Sequence, residues 1–127
     1  MKTARMTIGK MGEDLACEFL VGLGHTIVER NWRSGHLEVD IISLDREGLH
    51  FNEVKSRVAP VAASPEENVT AVKQRKLARA AQYYLHSAEK MNKFSNIDVY
   101  FDVISVIFEG EKAGVTYFPK AYIPLYL

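Results

Sequence analysis

The sequence predicts an α/β domain, a central mixed sheet flanked by helices. Three observations carry that prediction. Apolar residues recur at helical spacing over residues 8–23 and again from about residue 70 to residue 90. Short β-rich runs lie between these segments and after the second one. Two of the runs, Leu37–Ile42 and Leu49–Lys55, alternate and are joined by the turn-like Leu44-Asp45-Arg46-Glu47-Gly48.

In the first segment Ile8, Met11, Leu15, Phe19, Leu20 and Leu23 form the apolar stripe, and Gly24 is placed to stop the helix. Glu13 borders that stripe. Two roles are open to it: a helix-start carboxylate favoured by the dipole, or a group leaning over the hairpin into an acidic cluster. His25–Arg33 reads as a first strand that turns at Ser34-Gly35. Arg30, Trp32 and Arg33 carry cationic and stacking groups suited to phosphates and bases, although core packing is the commoner role of a lone tryptophan. His25, His36 and His50 lack the spacing of paired zinc ligands, which argues against zinc.

The hairpin holds the chemistry. If it closes symmetrically about Arg46-Glu47, residues whose numbers sum to 93 face each other. Asp40 then opposes Glu53, and Glu38 opposes Lys55, with Cβ atoms about 5 Å apart. Opposed carboxylates among Ile41, Ile42, Phe51 and Val54 are unfavourable, and burial makes them more so. A hard divalent cation held between Asp40 and Glu53 would remove the penalty. The plainer reading is a solvated strand face, but neither face of this hairpin is cleanly polar.

Proline and small residues make 58–65 a loop. The next helix starts either at Ser64-Pro65 with Glu67 as capping-box partner, or at Thr70. It runs to about Lys90 and turns Val69, Val72, Leu77, Ala80, Ala81, Tyr84 and Ala88 inward. Its exposed part carries Lys73, Arg75, Lys76 and Arg79, four cations in seven positions with no acid among them. That bias suggests phosphate contact. Ile97–Phe108 reads as a long strand, turned back through residues 109–114 into Val115–Phe118, and the apolar tail 122–127 offers a surface for a homodimer or another partner.

Bulk properties set the limits. The 127 residues suit a single domain, 1–127, with 47% hydrophobic and 25% charged residues. Formal net charge is zero, so any nucleic-acid affinity must be local. One cysteine, Cys17, fits a reducing compartment. No apolar run reaches membrane-spanning length, and glycines and charges after the basic start argue against a signal peptide. A cytoplasmic protein is expected.

The element order, with Asp40 thirteen residues before Glu53-Val54-Lys55, resembles the PD-(D/E)xK restriction-endonuclease-like nucleases. More narrowly the chain is similar to the small bacterial YraN family. The matching runs are Gly9-x-x-Gly12-Glu13-x-x-Ala16, Arg30-Asn31-x-Arg33, Glu38-Val39-Asp40-Ile41-Ile42, Phe51-x-Glu53-Val54-Lys55-x-Arg57, Val69-Thr70-x-x-Lys73 and Phe101-Asp102-Val103. Leu37 stands where a glycine is usual, and Tyr100 where an arginine is common. The resemblance implies a restriction-endonuclease-like αβββαβ core and metal-dependent endonuclease activity on phosphodiester bonds. Asp40, Glu53 and the Val54 carbonyl would hold Mg²⁺ or Mn²⁺. Lys55 would orient or activate the attacking water, and Glu13 would join from the first helix. Nucleic acid, DNA ahead of RNA, is the expected partner, met through Arg33, Arg57, Lys73, Arg75, Lys76 and Arg79. The alternatives are a nucleic-acid-binding module without turnover and a protein-interaction module.

Overall fold

The computed structural model describes residues 4–61 and 70–122. Its elements are α1 (Ala4–Gly22), β1 (Thr26–Ser34), β2 (Leu37–Leu44), β3 (Leu49–Val58), α2 (Ala71–Lys90), β4 (Val99–Glu109) and β5 (Lys112–Tyr122). The expected order is therefore found, with two strands after the second helix. The five strands form one sheet in the order β1-β2-β3-β4-β5. Neighbours are antiparallel except β3 and β4, which run parallel. A parallel pair needs a crossover, and α2 lies in that connection.

Each face of the mixed sheet carries one helix. On one side Ala16 and Leu20 of α1 pack on Ile41, Ile104 and Val106. On the other, Leu77, Ala80, Ala81, Tyr84 and Ala88 of α2 cover Leu37, Val39, Phe51 and Phe101. The face α1 presents differs from the expected stripe. Gly12, Ala16 and Leu20 are buried, at four-residue spacing, while Met11 and Leu23 are exposed. The reason is close approach: a Cβ on Gly12 would lie 1.8 Å from Ser56 Oγ. Only glycine lets α1 settle on β3 here. The helix ends as expected, with Gly24 at φ +100° and its N–H bonded to the Val21 carbonyl at 3.0 Å.

Thr70 caps α2, its hydroxyl accepting from Lys73 N–H at 3.2 Å. The other expected start, Ser64 to Glu67, and the inward placement of Val69 lie outside the described residues. Val72 is exposed rather than inward. The tail 123–127 also lies outside them, and with it most of the expected dimer surface. Among the described residues no helix is long and apolar enough to cross a membrane.

The hairpin has the expected register, and it stops short. Ile41 pairs with Asn52, Ile42 with Phe51, Ser43 with His50 and Leu44 with Leu49, every pair summing to 93. The ladder ends at Ile41–Asn52, so Asp40 and Glu53 lie just past the point where β2 and β3 part.

Candidate functional site

Asp40 fills that parting. Val54 N–H donates to its Oδ2 at 2.8 Å, so the side chain takes a bond that a ladder partner would otherwise take. In an extended strand the N–H and C=O of one residue point to the same neighbour. The Val54 carbonyl is therefore directed to the β2 side as well, where the ladder has ended. Burial pushes the Asp40 carboxyl up to about 6; the Val54 hydrogen bond pulls it down, and the charges of Glu38, Glu53 and Glu13 raise it further. Lying between the strands, Asp40 borders cavities on two sides. A cavity of about 680 Å³ is lined by Glu13, Asn31, Glu38, Asp40, Val54 and Arg57 among others. A smaller one, about 220 Å³, meets Glu38, Asp40, Glu53, Lys73 and Lys76.

Glu13 is not a helix-start carboxylate, because α1 begins nine residues earlier and has no acid in its first turn. It is instead tethered beside Asp40. Arg30 Nε and Nη2 donate to Glu13 Oε1 at 3.2 and 2.9 Å, and Asn31 Nδ2 donates to the same oxygen at 2.8 Å. Asn31 adopts φ 53° within β1, in the left-handed region that asparagine tolerates better than most residues. Arg30 Nη2 also reaches Asp14 Oδ1 at 2.7 Å. These bonds correct the expected role of Arg30, which is engaged with two carboxylates rather than offered to phosphates. Trp32 takes the commoner of its two expected roles, packing edge-on against Tyr84 at 5.4 Å in the α2-side core.

Lys55 lies near Lys73. Burial, and then the close approach of Lys73, hold its ammonium below the ordinary value, against the opposing pull of Glu53. Of the cations expected to meet nucleic acid, Lys73 and Lys76 line the smaller cavity with Asp40 and Glu53, and Arg57 lines the larger one. Arg33 is exposed and pairs with Glu38 at 3.6 Å. Arg79 lines a separate hollow with Gln82, Tyr83 and His86. At about 100° per residue, Arg75 stands roughly 200° around the helix from Lys73. The four α2 cations thus do not form a single face.

A second polar cluster, which the sequence patterns do not reveal, occupies the other end of the hairpin. Asp102 on β4 is fully buried and accepts from His50 Nδ1 at 2.6 Å, from the Tyr117 hydroxyl, and from Lys120 N–H at 2.8 Å. His50 Nε2 meets Asp45 Oδ1 at 2.8 Å, and the His25 ring lies 4.6 Å from the His50 ring. Burial lowers the His50 imidazole, but its bonds to Asp102 and Asp45 outweigh that and raise it. For His25, burial and the His50 charge prevail and lower it. The expected hairpin register already sets His50 opposite Ser43; what it lacks is β4 beside β3, which brings Asp102 opposite Asn52.

Comparison with known proteins agrees with the motif pattern. Residues 12–106 match the model of the uncharacterised protein family UPF0102. A UPF0102 protein of Clostridium perfringens strain SM101 is 41% identical over 124 residues, covering 96% of this chain and 98% of the relative. One from Syntrophotalea carbinolica is 39% identical over 122 residues, 96% of each chain. One from Bacteroides thetaiotaomicron is 37% identical over 119 residues, 92% of this chain and 93% of the relative. The matched span runs from the glycine that seats α1 on β3, through the Asp40 opening and α2, into β4, and on that basis the chain belongs to the family UPF0102.

Proposed function

We propose that this protein is a metal-dependent endonuclease that hydrolyses phosphodiester bonds in nucleic acid. One observation carries the reading. Asp40, Glu13, Glu38 and Glu53 gather where two strands part, close enough that the other three charges each raise the Asp40 carboxyl. A set of hard oxygen donors around a half-buried carboxylate suits a divalent cation bound by one or two carboxylates, water and substrate phosphate. Asp40, Glu53 and the Val54 carbonyl would hold Mg²⁺ or Mn²⁺. Such an ion polarises phosphate oxygens and lowers the pKa of the attacking water. Glu13, fixed by Arg30 and Asn31, extends the acidic wall on the α1 side. Lys55, its ammonium held below the usual value, orients that water and offsets charge developing on the phosphate. Lys73 and Lys76 supply phosphate contacts beside it, which a neutral chain must provide locally.

The test is single-turnover cleavage of labelled single strands, duplexes and junctions in Mn²⁺ and in EDTA, with wild type and Lys55→Met side by side. Methionine keeps much of the stem's packing and deletes the charge and its donors. Cleavage should need the metal and fall by roughly two orders of magnitude or more in the variant, with nucleic-acid binding little changed. Equal rates in both proteins would place the activity elsewhere. Binding without cleavage by wild type on every substrate would instead mark the chain as a binding module.

A further inference from the structure

Where β2 turns into β3, His25, Asp45 and His50 converge on one point. Their candidate ligand atoms, one from each side chain, all lie within 4.8 Å of one another. We propose that these three residues form a second metal site, built for Zn²⁺ and separate from the Asp40 opening. Asp45 lies five residues beyond Asp40, about 17 Å at strand rise.

The separations suit the ion. His25 Nε2 is 3.4 Å from Asp45 Oδ2, and His50 Nε2 is 2.8 Å from Asp45 Oδ1. Ligands bonded to zinc at about 2.0–2.1 Å in tetrahedral geometry stand about 3.3 Å apart. The His25–Asp45 separation already matches, and the three ligand atoms, within 4.8 Å of one another, would draw together on the ion while His50 gives up its short contact with Asp45. At 3.4 Å, His25 Nε2 and Asp45 Oδ2 are too far apart for a strong hydrogen bond; an ion between them would engage both atoms. Imidazole nitrogens with one carboxylate favour zinc over Mg²⁺, whose preferred donors are oxygens.

The groups behind the ligands give a second, independent indication. A histidine that binds metal through Nε2 commonly gives its Nδ1–H to a carboxylate or another oxygen, which fixes the ring's tautomer and direction. Both histidines are held that way round. His50 Nδ1 meets the buried Asp102 Oδ2 at 2.6 Å, and His25 Nδ1 meets Ser43 Oγ at 2.9 Å. Both rings are more than nine-tenths buried. Asp45 is aimed by its own turn, its Oδ1 accepting from Glu47 N–H at 2.9 Å and Gly48 N–H at 3.2 Å. The nearby Lys120 is drawn off by Glu47 at 3.1 Å. A water reaching past the partly exposed Asp45 completes four-coordination. With both rings buried, the ion serves as a staple that ties the end of α1 and start of β1 to the hairpin turn.

The test uses the full chain, stripped with chelator and titrated with Zn²⁺ alone, in an Asp40→Asn background that disables the other acidic site. One Zn²⁺ per chain should still bind and raise Tm. Co²⁺ should give the visible absorption of a four-coordinate site. His25→Gln and Asp45→Asn should each weaken binding at least 100-fold and bleach that absorption, and Ser43→Ala should weaken it 10–100-fold. Should a variant not fold, histidine ring resonances of the parent chain provide the readout, and both His25 and His50 should shift on adding one equivalent of Zn²⁺. No uptake in the Asp40→Asn chain would overturn the proposal, leaving a metal-free hydrogen-bonded cluster. Unchanged affinity in His25→Gln and Asp45→Asn, or ring signals that do not move, would overturn it equally.

Discussion

Asp40 and Asp102 lie on neighbouring parts of the same sheet and meet opposite fates. Asp102 is the more deeply buried, yet three donors converge on it from β3 and β5: His50, Tyr117 and the Lys120 N–H. Asp40 is less buried, takes one hydrogen bond, and is surrounded by Glu13, Glu38 and Glu53. Burial alone therefore does not decide how a carboxylate is accommodated. What separates the two is whether the fold itself supplies the compensating positive ends. At Asp102 it does, and the group orients its neighbours. At Asp40 it leaves the negative charge for something else to neutralise.

The largest effect should come from removing the satisfied member. Asp102→Asn leaves His50 with Asp45 alone, without its fully buried carboxylate, and turns an amide toward donors chosen for an anion. Breaking a buried charge-assisted pair costs about 3–5 kcal/mol, measurable as a lower urea midpoint with unchanged slope. A loss below about 1 kcal/mol would mean that the network holds little together.

Asp40 should respond with the opposite sign. Its folded carboxyl titrates at about 6, against an ordinary value of 3.8. A raised folded value means that the native state grips the proton more tightly than the unfolded chain does. The associated stability is full below the unfolded value and is lost as pH rises through about 6. The difference between the folded and ordinary values corresponds to about 3 kcal/mol at most. Asp40→Asn, which keeps an acceptor for Val54 N–H, should therefore be more stable than wild type at pH 7 and should lose that advantage near pH 4. Equal stability of the two chains at pH 7 would show that the opening is not electrostatically strained. Mn²⁺ supplies a third measurement: it should raise the wild-type Tm above pH 6, less so at pH 5 where a proton competes, and not at all in Asp40→Asn.

The contrast also explains what could be read from the sequence. Local rules sufficed for the turn end of the hairpin, where β2 and β3 adopt the 93-sum register from Leu44–Leu49 to Ile41–Asn52, but not for its far end, where the strands part before Asp40 can pair with Glu53 or Glu38 with Lys55. They also offered Thr70 as one of two starts for α2, the one at which the helix is capped, and gave most of its buried side. They failed where distant segments decide. The stripe on α1 rotates because Gly12 must clear Ser56, a residue of another element. Glu13 is held beside Asp40 because Arg30 and Asn31, seventeen and eighteen residues on, tether it. The histidine cluster was invisible to ligand spacing because its members come from the turn before β1, the hairpin turn and β3, and its outer carboxylate arrives only through the parallel crossover to β4. The one available hint was His50, three residues before Glu53 on the same strand and placed opposite Ser43 by the hairpin register.

The smallest effect lies on α2, where the comparison can be sharpened within a single helix. Lys73 and Lys76 border the cavity of Asp40 and Glu53, whereas Arg79 lines a different hollow and Arg75 points away from Lys73. If substrate phosphate sits over the opening, only the first pair should feel it. Removing each phosphate-contacting cation flattens the salt dependence of binding by about one unit of slope. Lys73→Ala/Lys76→Ala should therefore lose about two units, uniformly across sequences, and Arg75→Ala/Arg79→Ala close to none. Fluorescence anisotropy against a labelled duplex from low to moderate salt reads both slopes in the presence of Ca²⁺, a hard cation that takes the same oxygen donors. Equal losses in the two double variants would mean that nucleic acid wraps the whole helix rather than entering at the Asp40 opening. Loss confined to the arginine pair would move the binding surface to the hollow of Tyr83 and His86, and the opening would lose its substrate.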